Sequence, residues 1–154
     1  MASGKVVSIC IAPTASAPMT AVPEVRAHAG KGLEGDRYTV GTGTYSATPG
    51  TGRQVTLIEV EAIDALQRDH AVAIPATAAR RNIVTRGVAL NDLVGRQFRV
   101  GGVTLVGVRL CEPCTHLEGL TRPGVLRGLV HRGGLRADVL TDGVIRVGDV
   151  VEPA

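Results

Sequence analysis

Glycine and proline cut this chain into short pieces, with 20 Gly and 8 Pro among 154 residues. The segments left between them, such as Lys5 to Ile11, Gln97-Phe-Arg-Val100 and Val103 to Leu110, are bounded by turn signals and suit short strands better than long helices. One Phe, two Tyr and no Trp leave the core to Val, Leu, Ile and Ala. A mainly β fold follows. At 15.9 kDa a single domain over residues 1–154 is expected, large enough to bury a core without staples.

In chain order, Lys5 to Ile11 reads as a first strand, with Cys10 as a small core residue. The Ala/Pro/Ser/Thr run 12–19 reads as an irregular but ordered connection. A second strand over 21–28 leads into Gly30-Lys-Gly-Leu-Glu-Gly-Asp-Arg37, a glycine-punctuated loop of mixed charge that lacks a following helix pattern and so is not a P-loop. Residues 40–52, rich in Gly, Thr and Ser, form a candidate lid. Arg53 to Ile58 reads as a strand that runs into a helix over 59–68, where Val60, Ile63 and Leu66 recur at helical spacing. Thr77 is placed to cap a short turn ahead of Arg80-Arg81-Asn82. Adjacent arginines on an extended chain point opposite ways, so one is expected to face a ligand and the other solvent. Gly101-Gly102 signals a hairpin between strands 97–100 and 103–110. Residues 123–131 suit a short helix with Leu126, Leu129 and Val130 inward. A strand over 135–140, an Asp142-Gly143 hairpin turn and a closing strand over 144–151 complete seven or eight strands with two or three short helices.

Charge is unevenly spread. Residues 80–136 hold ten Arg against Asp92, Glu112 and Glu118, a balance of +7, and the remainder carries −4. Guanidinium groups make planar, bidentate contacts to phosphate. Phe98 alone cannot provide the stacking platforms that single-stranded nucleic acid needs, so a small phosphorylated ligand fits this half better. The start Met-Ala-Ser-Gly-Lys lacks the apolar core of a signal peptide, and free thiols in a reducing, cytoplasmic compartment are expected. No stretch approaches the roughly 20 apolar residues of a membrane span.

The stretch Arg109-Leu-Cys-Glu-Pro-Cys-Thr-His-Leu117 offers the clearest chemistry. Pro113 breaks the chain after a buried strand, where a thiol can be both held and exposed. Its Cys-x-x-Cys pair has three uses: half of a zinc site completed by His116 with His131 or His28, a thioredoxin-type redox pair, or one thiolate acting as a soft metal ligand or sulfur carrier. Arg109 and the Arg80/Arg81 pair would raise the thiolate fraction if the fold brings them near.

Taken in order, Gly32-Leu-Glu-Gly-Asp-Arg-Tyr38, Gln54 to Ala62, Arg80-Arg-Asn-Ile-Val84, Leu93 to Gly101, Cys111-Glu-Pro-Cys114, His131-Arg-Gly-Gly-Leu-Arg136 and Ile145-Arg-Val-Gly-Asp149 resemble the MOSC domain, the C-terminal domain of molybdenum cofactor sulfurases that also occurs alone. The resemblance implies a distorted β-barrel with two or three short peripheral helices. It also implies binding of the molybdenum cofactor (molybdopterin), a pterin dithiolene with a phosphate tail. In that reading Cys114, directly after Pro113, is the catalytic thiol that ligates molybdenum or carries persulfide, and Cys111 is a second thiol beside it. Arg80, Arg81 and Asn82 hold phosphate and ring, Asp36 lies near the cofactor, and Arg53, Gln54 and Thr56 are weaker candidates.

The resemblance further implies a molybdenum-dependent reductase of N-hydroxylated compounds, fed by an electron-transfer partner, or a cofactor carrier. A persulfide carrier is the alternative, acting as a sulfurtransferase with a separate desulfurase, on which alone pyridoxal phosphate is expected. A zinc-stabilised binding module is a further alternative. Neither nucleic acid nor a membrane is an expected partner.

Overall fold

The computed structural model describes residues 3–14, 16–36, 54–111, 120–121, 124–129 and 132–154. Among these residues eleven strands follow in chain order: β1 Gly4–Ile11, β2 Thr20–Ala21, β3 Glu24–His28, β4 Gly32–Leu33, β5 Val55–Glu59, β6 Ile83–Arg86, β7 Gln97–Val100, β8 Val103–Leu110, β9 Leu135–Val139, β10 Gly143–Arg146 and β11 Val150–Pro153. The helix α1 spans Val60–His70 between β5 and β6, and a single helical turn, α2, spans Val125–Gly128. Two 3-10 turns, Ala76–Ala79 and Leu90–Leu93, precede β6 and β7.

Seven strands close into a barrel in the order β11-β7-β8-β9-β5-β6-β1, with β1 pairing back to β11 through Gly4↔Val151 and Lys5↔Val150. Closure removes the free edges that would otherwise invite pairing with other chains. Every barrel pairing is antiparallel except β5 with β6. A parallel pair needs a crossover, and α1 supplies it. β10, β3 and β4 form a separate three-stranded sheet.

Side-chain alternation distributes the apolar residues between two cores. Leu57 and Ile83 point into the barrel with Val6, Ile9, Phe98, Leu105 and Leu135, all buried. Their neighbours Ile58 and Val84 face outward and are covered by Ile63 and Leu66 of α1 with Val125 and Leu129. That outer layer explains why Val55 to Ile58 are buried on both faces, and each such aliphatic side chain contributes about 1.5–3 kcal/mol. The helix ends where Ala71 turns left-handed (φ 56) and returns its N–H to Gln67 O. No helix among the described residues is long and apolar enough to cross a membrane.

The Gly101-Gly102 hairpin forms as expected, with Val100 opposite Val103 and Gly101 at φ 59. Other boundaries differ. Expected strand 21–28 is split at Val22-Pro23, because proline brings no N–H to a ladder. Expected strand 144–151 is two strands in different sheets, separated by a turn in which Asp149 N–H donates to Arg146 O at 3.0 Å. Asp142-Gly143 does not make a hairpin: β10 pairs with β3 rather than β9, and Asp142 Oδ1 accepts Ala29 N–H at 2.7 Å. Thr77 lies within its 3-10 turn, which starts after Pro75 without a side-chain cap. Of the expected helix over 123–131 the described residues show one turn, from which Leu129 is buried. The expected lid over 40–52 lies outside the described residues.

Candidate functional site

The tripeptide Arg80-Arg81-Asn82 joins the 3-10 turn to β6 and binds four parts of the chain together. Arg80 is left-handed (φ 59), a conformation that costs a non-glycine residue about 1 kcal/mol. It follows the 3-10 turn, with its N–H donating to Thr77 O. Its side chain reaches the irregular connection after β1, donating from Nη1 to Ala17 O at 2.6 Å. There it lines a cavity of about 380 Å³ with Ser16, Pro18, Met19, Thr77, Ala78 and Leu120. Small-molecule sites usually fall between about 300 and 1,000 Å³.

Arg81 turns the other way, but inward. Only 8% of it is exposed, which corrects the expectation that one of the two arginines reaches solvent. Its Nε donates to Gly133 O at 2.7 Å and its Nη2 to Cys111 O at 3.3 Å. These backbone acceptors compensate a burial that an unpaired guanidinium could not sustain. Asn82 is fully buried. Its Oδ1 accepts from Thr56 N–H at 3.0 Å, and its Nδ2 donates to Cys10 O at 3.1 Å.

Cys111 sits at the end of β8, buried, with its N–H donating to Gly134 O at 2.7 Å. Beside it Arg109 stands opposite Arg136 across the β8–β9 ladder. Directly opposed residues share a face about 4.5–5.5 Å apart, so two guanidinium groups start from one side of the sheet within two residues of this thiol. Cys10 belongs to the core: burial pushes its thiol up, only partly opposed by the Ser8 hydroxyl at 3.6 Å. A thiol held this way is a weaker nucleophile than a free cysteine.

Asp36 is also fully buried, its Oδ1 accepting Ala12 N–H at 3.1 Å. It thereby pins the start of the connection whose far end, Pro18 and Met19, walls the cavity. Gln54 Oε1 accepts Val139 N–H at 2.8 Å, and Thr56 is occupied with Asn82. Cys114, His116, His131 and Arg53 lie outside the described residues. Among the described residues no group of three His, Cys, Asp or Glu side chains could hold a metal ion.

The structure thus links Arg81 to Cys111, sets its neighbour Arg80 on the cavity, and gives Asn82 and Asp36 to the backbone of Cys10, Thr56 and Ala12. Ser16, Met19, Thr77 and Leu120 were not legible as cavity residues. They come from three distant stretches and carry no shared pattern.

The family model for the MOSC domain matches residues 26–152. Among solved structures, the YuaD protein from Bacillus subtilis superimposes with a TM-score of 0.82 at 18% identity, covering 99% of this chain and 97% of that one. YiiM from Geobacillus stearothermophilus gives a TM-score of 0.75 at 16% identity, covering 98% of this chain and 75% of its own. YiiM from Escherichia coli gives 0.68 at 17%, covering 97% and 69%. No curated protein matches the chain. At these identities the structural likeness speaks for the fold.

Proposed function

The chain belongs to the MOSC domain family, and from that membership we propose that it binds the molybdenum cofactor between the Arg80 cavity and the thiol-bearing segment after β8. The observation that carries this reading is the adjacency of two arginines with divided tasks. Arg80 lines the cavity, and Arg81, the next residue, holds the carbonyl of Cys111.

In this reading Arg80 receives the phosphate tail, for which a guanidinium is well shaped, and the Ser16 and Thr77 hydroxyls beside it offer further hydrogen bonds. Cys114 provides a thiolate, a soft donor matched to a thiophilic metal. Asn82 and Asp36 act behind the ligand, holding the walls through Cys10, Thr56 and Ala12. The cofactor would supply redox chemistry at molybdenum. The protein's residues bind and orient it, and the reducing equivalents come from an electron-transfer partner.

The test is molybdenum analysis and pterin fluorescence of protein made in a cofactor-producing host, with wild type beside Cys111→Ser and Cys114→Ser. Wild type and Cys111→Ser should hold both metal and pterin, and Cys114→Ser should lose most of the metal. Wild type devoid of both overturns the reading. Sulfur then added to Cys114 by a desulfurase and cysteine, seen in the intact mass, would identify a persulfide carrier instead.

A further inference from the structure

Arg81 is not among the residues that line the cavity, yet both residues flanking the thiol segment are bonded to it. Cys111 directly follows β8, and Gly133-Gly134 directly precede β9. Arg81 donates to the carbonyls of both Cys111 and Gly133, while Cys111 N–H donates to Gly134 O. Three hydrogen bonds therefore join the end of β8 to the start of β9. Two of them come from one side chain two residues ahead of a third strand, β6. Charged donors make the stronger kind of hydrogen bond, and the near-complete burial of this one shields it from competing water.

We infer that Arg81 is a positioning residue: from just ahead of β6 it fixes the backbone of Cys111 and Gly133, the residues that flank positions 112–132. The inference rests on the proposed cofactor site for its functional meaning, but its physical content is independent of any cofactor. Asn82, next in sequence, holds β1 and β5. The dipeptide thus divides its work, Asn82 serving the barrel wall and Arg81 the segment. Loss of Arg81 should release Cys111 while leaving Cys10, on the Asn82 side, protected.

The experiment uses the full chain as Arg81→Lys and Arg81→Gln. Iodoacetamide alkylation is followed separately on the peptides containing Cys10, Cys111 and Cys114. In Arg81→Gln, Cys111 should be alkylated about tenfold faster than in wild type with Cys10 unchanged, and Arg81→Lys, which can still reach one carbonyl, should fall between. A global loss of stability would accelerate Cys10 and Cys111 together. That outcome in both variants, or no acceleration of Cys111 in either, overturns the inference. Molybdenum content measured on the same samples separates the two ideas. Selective release of Cys111 in a protein whose wild type holds no molybdenum would leave Arg81 as the positioning residue and remove the cofactor reading.

Discussion

Asn82 and Thr56 bond to each other in both directions, Thr56 N–H donating to Asn82 Oδ1 at 3.0 Å and Asn82 N–H donating to Thr56 O at 3.0 Å. With its Nδ2 on Cys10 O, the Asn82 amide works as a piece of extra strand between β5 and β1. Its partners are buried and have no route to water. Asn82→Ala should therefore cost about 2–4 kcal/mol, read as a shift of the urea midpoint. Asn82→Asp keeps the acceptor but loses the donor and adds a buried carboxyl. Burial raises such a group's pKa in the folded state, so this variant's deficit should grow as pH rises from 4 to 7.

Glu59 supplies a native pH dependence. Burial raises its pKa; the Leu90 N–H opposes this, and Glu61 adds to the rise. A carboxyl whose folded pKa exceeds its unfolded value favours folding when protonated, and that contribution is lost as pH rises through the folded pKa. Glu59→Gln keeps an acceptor for Leu90 without the charge. It should raise Tm relative to wild type at pH 7 and bring no such gain at pH 4. An equal gain at both values would mean that charge is not the cause.

Gly134 carries a φ of +113, and a Cβ there would run into the Leu57 carbonyl. Backbone strain and the collision combine, so Gly134→Ala should cost about 3 kcal/mol or more and disturb the Cys111 hydrogen bond made to the same residue. Gly30 has a similar positive φ but open space around it. Gly30→Ala should cost only about 1 kcal/mol. Chemical denaturation of the two variants compares strain alone with strain plus collision.

Arg80→Gly separates stability from binding. Glycine accepts φ 59 without penalty, which offsets much of the lost hydrogen bond to Ala17. Stability should stay within about 1 kcal/mol of wild type. Molybdenum retention, if Arg80 holds the phosphate, should fall about tenfold. Undiminished retention would dissociate the cavity from the cofactor.

The elements most readable beforehand were those specified by contacts close in sequence. The Gly101-Gly102 hairpin needs only two adjacent strands and a residue tolerant of positive φ, and it formed between the two expected strands. Helix α1 declared itself through Ile63 and Leu66. The split of 144–151 was hidden because what separates the halves is a turn whose N–H groups find acceptors at Pro23 and Val6, more than a hundred residues away. The same limit applied to Arg81, whose acceptors at Cys111 and Gly133 lie 30 and 52 residues on.

From residue order alone came the mainly β class, the strand running into the helix over 53–68, the basic stretch and the ordered motifs of the MOSC family. Periodicity, turn chemistry and charge are local quantities, and they survive without knowledge of partners. Tertiary structure decided that β1 closes the ring on β11, that one arginine lines a cavity while its neighbour is buried on two carbonyls, and that Cys111 is covered. Each of those outcomes depends on which distant backbone groups are left needing a partner once the barrel has closed, because a buried polar group is stable only where one is supplied.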